Sequence, residues 1–220
     1  MRLTVILVLL LSLPLWADSP ANQWRRFFSP KRLDALEAQF GEPGRQRAEA
    51  LAAFIEAELA QDRPVEQKLE RVNDYFNRLT FVDDQTHWGQ PDYWATPLEF
   101  VASGGGDCED FAIAKYFTLR VLGVEAAQLR LTYVKAVTLN QAHMVLTYLP
   151  TPSAMPLVLD NLNATVLPGS ERPDLVPVYS FNGEGLWRAR AFDQGVRLKH
   201  GESGVDLWQD LVERITIEGE

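Results

Sequence analysis

The chain has 220 residues, with 21 Lys and Arg against 30 Asp and Glu, a formal net charge of −9 at pH 7. That acidity argues against nucleic acid and anionic membrane surfaces as partners. A hydrophobic content of 46% is enough for a real core, and a single cysteine excludes an intrachain disulfide framework.

Met1-Arg2, the apolar run from Leu3 to Leu13 and the small residue Ala17 form a secretory signal pattern. Cleavage after Ala17 would remove residues 1–17 and leave 18–220 as an exported chain, periplasmic or secreted. No later stretch is long and apolar enough to span a bilayer. Ser29-Pro30 reads as a helix start, with Leu33, Leu36 and Phe40 at helical spacing. Gly41-Glu42-Pro43-Gly44 breaks it. A second helix is expected over 45–60, and a third from Pro64 to Leu79. Residues 18–80 thus form a helical N-terminal part.

From Phe81 to Trp94 no period holds. The segment carries Asp83, Asp84, His87, Trp88, Asp92, Tyr93 and Trp94. It reads equally as a loop whose aromatics seal the core and as a cleft wall or docking surface; His87 reads as structural. Thr96-Pro97-Leu98-Glu99 is a capping box opening a short helix that ends near Ser103.

Gly104-Gly105-Gly106-Asp107-Cys108-Glu109-Asp110 then precedes a helix over 111–122, ended by Gly123. The lone cysteine falls at a helix N-terminus, where the helix dipole favours thiolate over thiol. The glycines read as a sharp turn that lets a substrate chain approach closely. An odd cysteine in an exported chain implies a reactive thiol or an intermolecular bridge. The acidic, glycine-rich flanks favour the reactive thiol over a small buried hydrophobe.

Beyond Leu129 the period becomes two. Strands are expected over 129–137, 142–149 and 157–160, then 176–181 and 186–191, with a C-terminal helix over 205–215. His143 stands at the start of the second strand and Asp160 at the end of the third. Antiparallel neighbours can join His143 to Asp160 and carry both to Cys108. A thiolate attacks a carbonyl, an imidazole partners the thiolate and protonates the leaving amine, and a carboxylate orients the imidazole. Residue types alone leave three functions open: an endoprotease, an acyl transferase in which an amine replaces water, and a non-catalytic binding module.

The block Phe81-Val82-Asp83-Asp84, His87-Trp88-Gly89, Asp92-Tyr93-Trp94-Ala95-Thr96-Pro97 and Gly105-Gly106-Asp107-Cys108-Glu109-Asp110, followed by His143 and Asp160, resembles the bacterial transglutaminase-like cysteine proteinases over residues 25–200. The resemblance implies an α+β, papain/transglutaminase-like fold, with N-terminal helices and a cysteine-bearing helix packed on an antiparallel sheet. Residues 81–220 would form the catalytic core, and Cys108, His143 and Asp160 the triad. It implies a periplasmic endoprotease that cuts the N-terminal region of a large surface adhesin and so releases cells from biofilms. Inhibition would come from a LapD-like inner-membrane cyclic di-GMP receptor. Calcium would be the cofactor, with Asp107 and Glu109 as ligands. Asp110 is a further candidate ligand, and Asp83, Asp84 and loop carbonyls could complete the shell. Read without the family, the same acids simply cap the helix and complement its dipole.

Overall fold

In a computed structural model, which describes residues 24–188, 196–200 and 205–219, the first helix begins at the expected cap. Ser29 accepts the Arg32 amide hydrogen bond, and Pro30 opens α1, Pro30–Leu59. The expected break at Gly41–Gly44 is a kink inside that helix. Gly41 turns at φ 73 and ψ 177. Pro43 follows in what is effectively a new first turn, where its missing N–H costs nothing. The second helix, α2 (Val65–Phe76), buries Leu69, Val72 and Phe76.

Next, β1 (Thr80–Phe81) pairs in parallel with β2 (Gly105–Gly106). The segment expected to be irregular contains one helical turn between them, α3 (Asp84–His87), capped by Asp83 through the Thr86 amide. The capping box is present at Thr96 and Glu99, and it starts α4 (Pro97–Ser103). Gly104 ends α4 in the left-handed region at φ 92. The cysteine helix, α5, runs Cys108–Val121, and Gly123 follows it at φ 88.

The sheet is antiparallel throughout. Its strands are β3 (Leu129–Ala136), β4 (Gln141–Tyr148), β5 (Leu157–Leu159), β6 (Leu167–Pro168), β7 (Leu175–Asn182), β8 (Gly185–Arg188) and β9 (Val196–His200). Their spatial order is β6-β5-β4-β3-β7-β8-β9. The two-residue β6 is too short to carry a period, and β9 was not anticipated. The strand expected over 186–191 begins as β8; residues 189–191, like the expected 1–17 leader, lie outside the described residues. A last helix, α6 (Asp206–Glu218), extends past the expected end at 215.

One apolar core joins these layers. Phe111, Ile113 and Leu119 of α5 share it with Leu131, Met144, Leu146 and Phe181 of the sheet, Val72 and Phe76 of α2, and Trp208 of α6. Burial on most of its circumference makes α5 the central helix, and its first residue is Cys108. Trp94, 1% exposed, stacks on Phe181 with ring centroids 5.8 Å apart. Trp88 is half-buried against Phe40 and Tyr93. The aromatic segment therefore seals the core at Trp94, which is not available to a partner.

Gly105 and Gly106 serve close packing of the chain on itself rather than substrate approach. A Cβ on Gly105 would lie 2.3 Å from the Thr80 carbonyl oxygen, and one on Gly106 would lie 2.1 Å from Asp110 Oδ2. Gly106→Ala is expected to lower stability by about 1–3 kcal/mol, the usual cost of overpacking. Urea denaturation checks this, and an unchanged midpoint would refute the close fit.

Candidate active site and acidic cluster

Every group of interest sits at the end of a regular element. Cys108 opens α5, His143 lies near the start of β4, and Asp160 follows β5 directly. The β4–β5 pairing, Leu146 opposite Leu159, brings the two strands together. His143 Nε2 and Asp160 Oδ1 are 2.8 Å apart, and both residues are buried. Asp160 also accepts hydrogen bonds from the Leu162 amide at 3.0 Å and from Arg172 Nη2 at 2.6 Å. Burial alone would raise its pKa, but the His143 and Arg172 contacts hold the carboxyl down to about 2. It is therefore ionised at any working pH.

The thiol is placed differently from the sequence reading. Cys108 Sγ donates to Glu109 Oε2 at 2.6 Å, and it receives the backbone amide of Met144, the residue after His143. These are its hydrogen-bond partners among the described residues, so the α5 terminus and β4 meet at the sulfur without a direct Cys108–His143 hydrogen bond. Burial, then the charge of Glu109 and Asp107, push the thiol well above its usual range; only the Met144 amide opposes them. Burial first, and the flanking carboxylates second, thus act against the thiolate that a helix N-terminus alone would favour.

Those carboxylates form a cluster. One oxygen from each of Asp84, Asp107 and Asp110 lies within 4.8 Å of the others, and Asp107, Cys108 and Glu109 form a second such group. Asp110, 0% exposed, accepts the Ala95 amide on Oδ1 at 2.8 Å and the Asp107 amide on Oδ2 at 3.3 Å. Asp84 accepts the Tyr93 amide. Oδ1 of Asp84 and Oδ1 of Asp107 are buried with no hydrogen-bond partner. Crowding leaves its mark on all three acids. Burial, then Glu109, Asp110 and Asp84, push Asp107 up to about 9. Burial raises Asp84 to about 6, and burial with Asp84 and Glu109 raises Asp110 well above the carboxylate range.

Orphaned, mutually repelling carboxylate oxygens fit a hard cation with oxygen ligands. Asp107 and Asp110, two of the expected ligands, lie in that group. Asp84, which α3 turns inward, is its third member, while Glu109 bonds the thiol and groups with Asp107 and Cys108. Asp83 points away to cap α3 and is exposed at its side chain. An acid just after a helix cap faces the protein or solvent depending on tertiary packing, so the sequence offered Asp83 and Asp84 equally.

Two buried cations near Asp160 went unnoticed in the sequence. Arg172 lies in the turn before β7. Lys115 lies on α5, 1% exposed, with its Nζ unpartnered. Burial pulls the Lys115 ammonium down to about 7, partly opposed by Asp160. Lys115 could have been marked by its place on the buried, largely apolar α5, whereas nothing in the polar stretch around Arg172 distinguishes it from a solvated turn residue. Beyond His143, the Tyr133 and Tyr179 rings, 4.7 Å apart, line a cleft with Val178, Asn140 and Gln141 at one end of β3, β4 and β7.

Residues 45–175 match the family described as bacterial transglutaminase-like cysteine proteinase BTLCP. Among solved structures, Legionella pneumophila LapG in its calcium-bound form is 44% identical, with a TM-score of 0.69 over 84% of this chain and 98% of that chain. The EGTA-treated form of the same protein matches at 44% identity with a TM-score of 0.72, over 84% of this chain and 96% of that one. A search of curated proteins finds no match.

Lys115 generates a pH-dependent prediction. Its folded pKa of about 7 lies below the ordinary 10.5, so between those values the unfolded chain binds a proton that the folded chain does not. Stability therefore rises with pH across that window and is lost as pH falls towards 7, with a slope of at most about 1.4 kcal/mol per pH unit from this group. Urea titrations from pH 7 to 10 should show this slope as the difference between wild type and Lys115→Met. Parallel profiles for the two proteins would refute a depressed Lys115.

Proposed function

The chain belongs to the bacterial transglutaminase-like cysteine proteinases, and from that membership we propose that it is a calcium-dependent cysteine endopeptidase, exported to the periplasm, that cuts the N-terminal region of a large surface adhesin and promotes release from biofilms. Its nucleophile is Cys108, its base His143 and its orienting carboxylate Asp160. The observation that carries this reading is the placement of the lone cysteine. Its sulfur lies against the amide of Met144, next to an imidazole that is itself bonded to a buried carboxylate.

The chemistry follows from that arrangement. With Nε2 of His143 engaged by Asp160, Nδ1 is the ring nitrogen left to take the thiol proton. The sulfur attacks the scissile carbonyl, and the imidazolium, stabilised by ionised Asp160, returns the proton to the leaving amine. The N–H of Cys108, at the first turn of α5, has no intrahelical partner and is suited to receive the developing oxyanion. Water then repeats the sequence on the thioester. The cleft lined by Tyr133 and Tyr179 at the end of β3, β4 and β7 would offer the substrate chain an aromatic wall.

Asp84, Asp107 and Asp110 would hold the calcium. A bound cation supplies positive charge against the carboxylates that now raise the thiol, and ties α3 to the start of α5. The two orphaned oxygens, together with the calcium-bound and EGTA-treated forms of LapG, support this part of the reading. The family relationship supports a LapD-like cyclic di-GMP receptor as the inhibitory partner; with Trp94 buried, its docking surface would use other residues, Trp88 among them.

Two measurements test the proposal. Incubation with an adhesin N-terminal fragment and calcium should give two product masses. EGTA should abolish the reaction, and Cys108→Ser or His143→Ala should lower it at least about 1000-fold. A single product carrying an added amine would instead establish acyl transfer, and activity unchanged in Cys108→Ser would exclude the nucleophile. Calcium should also raise the melting temperature, by the equivalent of about 2.7 kcal/mol at a hundred times its Kd. Asp84→Asn should weaken that binding at least about tenfold, as expected for loss of a charged ligand. A Kd unchanged in Asp84→Asn would remove Asp84 from the ligand set.

A further inference from the structure

Asp160 is held from more sides than an orienting carboxylate requires. Its Oδ1 serves His143 Nε2 at 2.8 Å and the Leu162 amide at 3.0 Å. Its Oδ2 takes Arg172 Nη2 at 2.6 Å. Its backbone carbonyl accepts Asn77 Nδ2 of α2 at 2.8 Å. The charged groups around it are His143 from β4, Arg172 from the turn before β7, and Lys115 from α5.

Arg172 is itself fixed. It is 3% exposed, and a second carboxylate grips its other edge, with Nε to Asp174 Oδ1 at 3.0 Å and Nη2 to Asp174 Oδ2 at 2.7 Å. Its Nη1 is buried without a partner. As a device for stability alone this is a poor choice. Desolvating a guanidinium and a carboxylate offsets most of their attraction, and an apolar pair of the same volume does as well or better. What the planar fork does supply is orientation. A carboxylate bonded to one neighbour can rotate and present either oxygen. With Oδ2 claimed by Arg172, the plane is set and Oδ1 alone faces the imidazole.

We propose that Arg172, anchored by Asp174, is a positioning residue for the reaction: it locks the Asp160 carboxylate so that His143 is held through Nε2–H, leaving Nδ1 as the working nitrogen. This rests on the reading of Cys108, His143 and Asp160 as the catalytic set. The chain of contacts runs Asp174, Arg172, Asp160, His143, and each link after the first is buried. The competing role is plain fastening of the turn at Gly169–Glu171 to the end of β5, which would affect folding but not the imidazole.

The experiment follows the hydrogen-bonded imidazole N–H proton of His143 by NMR, with kcat and KM on the adhesin fragment and the melting temperature alongside. The chain has three histidines, so His143→Ala identifies the signal. Wild type and Arg172→Lys, which keeps a donor and the charge, should show the resonance. Arg172→Gln should lose it, with kcat reduced about 10- to 100-fold, the range that orienting partners typically carry, and KM within about twofold. Arg172→Lys should recover part of that kcat. Because Arg172→Gln leaves a buried carboxylate uncompensated and can fail to fold, Asp174→Asn provides the second arm. Its site is half-exposed, and loosening the anchor should broaden the resonance and lower kcat by about 3- to 10-fold. A melting temperature that falls while the resonance and kcat stay at wild-type values, in either variant, overturns the proposal and leaves fastening as the role. Wild-type cleavage by His143→Ala overturns the catalytic reading itself, whatever the Arg172 variants do.

Discussion

The buried carboxylate of Asp110 is the constraint on which the site depends. It sits at the third position of α5 and takes amide hydrogens from two places, Ala95 ahead of α4 and Asp107 at the helix start. Three segments distant in sequence or direction are thereby pinned to one another: the end of the aromatic stretch, the glycine turn and the cysteine helix. The bare face of Gly106 makes room for it, because any side chain there would occupy the position of Asp110 Oδ2. The parallel pairing of Thr80–Phe81 with Gly105–Gly106 then brings α3, and with it Asp84, against the same corner. Cys108 is presented where it is because its neighbours two residues to either side have no freedom to move.

That arrangement concentrates opposite charge on the two sides of the catalytic elements. On the α5 side, Asp84, Asp107, Glu109 and Asp110 crowd the thiol and raise it. On the β5 side, Arg172 and Lys115 flank Asp160, and His143 with Arg172 holds its carboxyl low against burial. Neither cluster is a good use of buried volume for stability alone, since each leaves polar atoms without partners. Their common feature is a buried carboxylate fixed by several hydrogen bonds, Asp110 in one and Asp160 in the other. The acidic side leaves two carboxylate oxygens without a partner, whereas the basic side is matched in charge by Asp160 and Asp174.

Local signals were legible because they are local. The Ser29–Pro30 start, the Thr96–Glu99 capping box, the glycine after α5 and the two-residue period from Leu129 are all decided within a few residues. Gly41 was read as a break and is a kink, because a single left-handed residue can redirect a helix without ending it when the following turn packs on α4. The short β6 has too few residues to show a period. The spacing of Cys108, His143 and Asp160 predicted their convergence, and His143 and Asp160 do meet. The thiol meets Glu109 and the amide beside His143 instead of the imidazole.

The sequence by itself determined the mixed helix and antiparallel-sheet fold, the position of the lone cysteine at a helix start, and the acidity of that start. These follow from periodicity, caps and composition, which any stretch of chain carries within itself. Only the tertiary structure decided that Asp84 joins Asp107 and Asp110. It also decided that Trp94 is core and that Arg172 and Lys115 flank Asp160. The physical reason is common to all three. Charge interactions and burial depend on distances between residues far apart in the chain, and at a few ångströms inside a desolvated core they outweigh what any residue's immediate neighbours prescribe.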